Sequence, residues 1–193
     1  MGPQPERDPM LGGHIRVTIN GVAVADDDEF GLERSALALL RTIDLDHDAT
    51  SDGRAFDIPG EGSEAMYSGP VTRVGLPTLL VHDCGFPGTA CSNFYVDWTV
   101  RHDGESVVIS DARRFDSTRP TERHFPEASC TMPLPAYRRE VVRFAEAVRE
   151  AYFASGDKVV DDDDERRLYD AFWVEFDSLL ARHRPSRRSA ARR

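Results

Sequence analysis

The regular pattern begins at residue 14, where Ile15, Val17 and Ile19 alternate with His14, Arg16 and Thr18. A period of two places the three apolar side chains on one face of a strand and the polar ones on the other. Asn20-Gly21 follows, the pair favoured by a type I′ turn because both central residues take positive φ. Val22, Ala23 and Val24 return the chain, which sets Ile19 against Val22 and Val17 against Val24. Asp26-Asp27-Asp28-Glu29 then supplies a helix cap and negative charge where a helix N-terminus favours it. Leu32, Ala36, Leu39, Leu40 and Ile43 recur at helical spacing, predicting a helix over 29–43.

Residues 44–69 lose the period, are rich in Asp, Ser and Gly, and read as a long loop. Val71 to Val74 and Thr78 to His82 are predicted strands, with Gly75 and Pro77 marking a break between them. Phe94, Val96, Trp98 and Val100 alternate with Tyr95, Asp97, Thr99 and Arg101 up to a turn at Asp103-Gly104, and Val107, Val108 and Ile109 lead back. That turn sets Val100 against Val107 and Trp98 against Ile109. Residues 113–134, broken by Pro120, Pro126 and Pro133, read as irregular.

A helix is predicted from Pro135, a good first-turn residue, with Val141, Phe144, Ala145, Val148, Ala151 and Tyr152 on one side and a stop near Gly156. Asp161–Asp164 caps a last helix that turns Leu168, Phe172, Phe176 and Leu179 inward, with Tyr169, Trp173 and Leu180 flanking, and ends before Pro185. No segment repeats another. Strands, a helix, more strands and then two helices indicate an α+β fold: a mainly antiparallel sheet of hairpins, one helix after the first hairpin, and two C-terminal helices packed on the sheet.

Composition adds limits. The 193 residues suit one domain. The expected division is a flexible leader over 1–13, a domain over 14–183 and a basic, disordered tail over 184–193. No apolar run approaches the ~20 residues that cross a bilayer, and the first residues carry no secretory pattern. Three cysteines are too few for a disulfide scaffold, so a reducing cytoplasm is expected. Lys158 is the only lysine among 24 cationic residues, a bias typical of GC-rich bacterial genomes.

Charge is unevenly spread. Residues 182–193 hold six arginines and no acid, which leaves −16 for residues 1–181 of a chain whose net charge is −10. An acidic body repels nucleic acid and attracts basic partners.

The candidate chemistry lies mainly in His82-Asp83-Cys84-Gly85-Phe86-Pro87-Gly88-Thr89-Ala90-Cys91-Ser92-Asn93. His82 and Cys84 point the same way on an extended backbone, and with Cys91, His124 and Cys130 they offer enough N and S ligands for a tetrahedral zinc. Their spacing matches no zinc pattern, and small, buried, inert thiols are the preferred reading of the cysteines. A Cys91 nucleophile would need His82 or His102 as base and Asp97 to orient it. Asp44-Leu45-Asp46-His47-Asp48 opens like a calcium loop, but Ala49 replaces its glycine and Ala55 its bidentate glutamate. Phosphate-loop, dinucleotide, zinc-peptidase and serine-hydrolase motifs are all missing, and no cofactor is implied. The expectation from these features is a binding protein that docks on a basic protein partner, of inhibitor or immunity type. The rival is a small enzyme with a cysteine or metal site in His82–Asn93.

Overall fold

The computed structural model describes residues 11–49, 79–81, 94–116, 119–156, 158 and 163–185. The fold is α+β, as the pattern predicts. A two-stranded antiparallel sheet holds β1 (Gly12–Ile19) and β2 (Val22–Gly31). Helix α1 (Leu32–Arg41) follows. A five-stranded antiparallel sheet contains β3 (Leu80–Val81), β4 (Phe94–Asp103), β5 (Ser106–Asp116), β6 (Arg119–Phe125) and β7 (Cys130–Pro133). Its order is β3-β4-β5-β6, and β7 pairs with the other half of the β5 edge that β6 occupies. Helices α2 (Leu134–Ala154) and α3 (Asp163–His183) follow. Among the described residues no helix is long and apolar enough to cross a membrane.

The first hairpin turns where expected. Asn20 and Gly21 have φ of 50° and 80°, the left-handed values of a type I′ turn. Ile19 faces Val22, but Val17 faces Ala25 instead of Val24, because a bulge intervenes between Val17 and Thr18. Pairing also begins at Gly12, inside the segment read as leader. The larger correction concerns the acids. Asp26 to Glu29 lie in β2 and do not cap a helix, and α1 starts only at Leu32. Pairing with β1 sets the extended course: the ladder runs from Ile19–Val22 to Gly12–Gly31, and Arg16 pairs with Asp26 across it, Nε to Oδ1 at 2.6 Å. The helix start is tied from outside, with the Leu32 N–H donating to the Leu11 carbonyl and the Leu11 N–H to Glu33.

The second hairpin turns one residue later than predicted, at Gly104-Glu105, so Val100 faces Ile109. Gly104 has φ 59° and Glu105 does not share the positive region, which fits a type II′ turn. The register therefore moves by two residues, and a shift of two keeps every side chain on its face. Trp98, Val100, Val107 and Ile109 are all buried as predicted, although Trp98 and Ile109 are not direct partners. A bulge at Asp111 (φ 53°) then changes parity, so Ala112 is the next buried position of β5.

Residues 119–125 and 130–133 are strands, not the irregular stretch expected. Their prolines mislead because, among the described residues, both strands pair on one side only, and an edge strand admits proline without losing a ladder bond. The predicted strand over 71–74 lies outside the described residues, as does the Asp161-Asp162 part of the last cap.

Helix α1 is the hub. Ala36, Leu37, Ala38 and Leu40 are buried, and so are Glu33, Arg34 and Arg41. The helix touches both sheets and both later helices. Arg41 is held by two bonds to Glu175 of α3, at 2.8 and 2.7 Å. On α2 the buried stripe runs through Tyr137, Val141, Val142, Ala145, Val148 and Tyr152, so Ala151 is exposed and Phe144 only half-buried. On α3 it runs through Phe172, Trp173, Phe176 and Leu180, with Leu179 at the margin, one position round from the stripe expected.

Candidate functional site

Three places bear on function. The first is the centre of β4, where alternation suggests one buried and one open face. Both faces are buried: Tyr95, Asp97 and Thr99 are as covered as Val96, Trp98 and Val100. Asp97 therefore needs a partner, since a carboxylate without one is costly to bury. It finds His47, whose Nε2–H donates to Oδ1 at 2.7 Å, and the Leu79 N–H, which donates to the same oxygen at 3.2 Å. Both side chains of the pair are completely buried. Two backbone bonds of 2.8 Å between His47 and Val100 hold the loop against the strand. His47 Nδ1 has no partner among the described residues. This His–Asp pair is sealed, so it fastens the loop and faces no solvent.

Of the residues assigned to a Cys91 site, Asp97 and His102 both lie on β4. His102 is bound to Asp46, Nδ1 to Oδ1 at 2.8 Å, and its Nε2 lies 3.0 Å from the Ile43 carbonyl. His82, Cys84 and Cys91 lie outside the described residues. The His47–Asp97 pair was missed because His47 sits in a polar stretch, 50 residues from Asp97, where nothing in the period marks burial.

The second place is the acidic loop after α1. Its calcium-like aspartates are met by arginine and histidine side chains of the chain itself. Asp44 meets Arg182 at 3.1 Å and His183 at 3.3 Å, while Asp46 and Asp48 both meet Arg101. Bonds from the His102 backbone and side chain hold the Asp46 carboxyl below its ordinary range. Burial pushes the His183 imidazole below its ordinary value, aided by Arg138 and Arg182 and opposed by Asp44. Among the described residues no group of three His, Cys, Asp or Glu side chains could hold a metal. His124 and Cys130 do not meet: His124 is exposed beside Glu122, and Cys130 lies on β7 opposite Ile109.

The third place is a cleft of about 540 Å³ between the β1 strand, the floor of the five-stranded sheet and α2. Ile15, Val17 and Ile19 form one wall, and Trp98, Ile109 and Met132 form the floor. Val141 and Phe144 stand on α2, with Arg16, Asn20, Glu140 and Arg143 also on the lining. The Trp98 indole N–H is buried and has no acceptor among the described residues. Cys130 lines the cleft, and burial raises its thiol pKa, so it is a poor nucleophile at neutral pH. Burial likewise pushes the Tyr137 phenol up to about 12. The cleft is apolar inside and polar around the rim, and it holds no activated acid, base or thiol among the described residues.

Comparison with protein-family models, curated proteins and solved structures returned no match.

Proposed function

We propose that this chain is a small acidic bacterial cytoplasmic protein that acts by binding a basic protein partner, as an inhibitor or immunity-type protein does. The observation that carries the reading is charge: −10 overall, with every charge of the last twelve residues positive. Complementary charge speeds encounter and rejects wrong partners. Exposed Asp103 and Glu105 lie at the β4–β5 turn, beside the loop after α1 to which Arg101 and His102 join it. That end of the molecule would meet the partner first. The rival, an enzyme using His82–Asn93, rests on residues outside the described set.

The test is capture from the native host followed by reconstitution with the purified partner. A basic protein should be recovered in stoichiometric amount, and its affinity should fall as ionic strength rises past the range where the screening length drops below about 8 Å. Asp103→Lys combined with Glu105→Lys, both at exposed positions of the turn, should slow association and leave the fold intact. Recovery of no basic protein, or binding indifferent to salt and to these substitutions, would overturn the proposal.

A further inference from the structure

We propose that the cleft between β1 and α2 is a binding site for a neutral, largely apolar small molecule, a function separate from protein docking. The geometry sets the size. A space of about 540 Å³ lies within the usual span of small-ligand pockets, roughly 300–1,000 Å³. It is a gap between layers of one fold, with the apolar face of β1 held away from Trp98 and Ile109 across it. Those faces gain contacts that they lack when an occupant of matching shape enters.

The rim sets the charge. Among the described residues Arg16 and Arg143 are the cations of the lining, and each is paired with a carboxylate. Arg16 Nε meets Asp26 at 2.6 Å and Arg143 meets Glu140 at 2.5 Å. Among the described residues an anionic headgroup would have to compete with these carboxylates for a cation, and the −10 net charge repels it at a distance. A cationic occupant would have to place its charge on an apolar floor, which is costly. A neutral molecule pays neither cost. The shape also favours a compact body over an extended segment, because β1, α2 and the sheet bound the space on three sides.

The full chain supplies its own reporters, Trp98 on the floor and Cys130 on the wall. The probe is the neutral dye N-phenylnaphthylamine, set against its sulfonated analogue, anilinonaphthalene sulfonate. The neutral dye should bind saturably, one per chain, and quench Trp98. It should slow alkylation of Cys130 by iodoacetamide by roughly tenfold, as expected when a ligand covers a partly exposed thiol. The sulfonated dye should bind roughly tenfold or more weakly, since its charge gains no partner. Val17→Trp, which places an indole in the cleft, should weaken the neutral dye by a similar factor with the thermal midpoint retained. If that variant fails to fold, Cys130 protection in the unaltered chain decides. Absence of saturable binding, no protection of Cys130, equal or tighter binding of the sulfonated dye, or dye release on concentration-dependent dimerisation would each overturn the proposal. None of these results bears on the basic-partner reading.

Discussion

Asp97 and His183 are ionisable groups with buried side chains, and their surroundings predict different behaviour. Asp97 accepts two hydrogen bonds at one oxygen, from His47 and from the Leu79 amide. Asp97→Ala would leave both donors buried and unmet, a loss of about 3–5 kcal/mol in the manner of a broken buried pair. Asp97→Asn keeps an acceptor and should cost clearly less. Urea unfolding of the two variants checks the order, and equal losses would mean that the His47 contact carries no energy. For His183 the sign follows from the lowered folded pKa. The unfolded chain takes up a proton near pH 6.5 that the folded chain resists. Stability is therefore full above that pH and is lost as pH falls through the folded value. His183→Asn should flatten this decline between about pH 7.5 and 5.5. If the wild type and the variant show the same slope there, His183 does not remain neutral in the fold.

At the scale of elements, turn chemistry and period were legible in the sequence where they agreed. Asn20-Gly21 marked its turn correctly, and Gly21→Val should cost about 1–2 kcal/mol because a β-branched residue must adopt positive φ there. A loss near zero in thermal unfolding would mean that the hairpin forms with another turn. Asp103-Gly104 misplaced its turn by one residue, yet every face survived because the register moved by two. The two C-terminal helices were legible from their stripes, with α3 displaced by one position. What sequence hid was set by distant partners. The acids of 26–29 look like a cap until β1 pairs alongside them. β6 and β7 look irregular because an edge strand tolerates proline and needs only one paired side. Of the candidate site residues, Asp97 and His102 proved to be structural partners of His47 and Asp46, and no local pattern could have shown that pairing. The cleft was equally hidden, since it forms between β1 and α2, which lie more than 100 residues apart in the chain.

For the whole molecule the question is whether two separate sheets and a helical layer behave as one unit. The connection runs through α1. Its apolar residues join the core, while Glu33 ties it back to Leu11 at the start of β1 and Arg41 bonds twice to Glu175 of α3. Arg41 is almost fully covered, so the bond is screened little by salt, and the charge would be costly to leave unpaired. One transition is therefore expected on unfolding, as for most single domains of modest size. The two tryptophans report on different layers: Trp98 on the sheet, and Trp173 among Tyr152, Phe153 and Phe172 in the helical layer. In Trp173→Phe only the sheet reports, and in Trp98→Phe only the helices. Within each variant, fluorescence and far-ultraviolet circular dichroism should give the same urea midpoint. Replacing Arg41 by Met in either background should lower both midpoints together by an amount equivalent to a few kcal/mol, since it strands Glu175 without its partner. Two separated transitions, or loss of the helical signal alone in the Arg41→Met variants, would show that α1 packs against the helices without coupling them to the sheets.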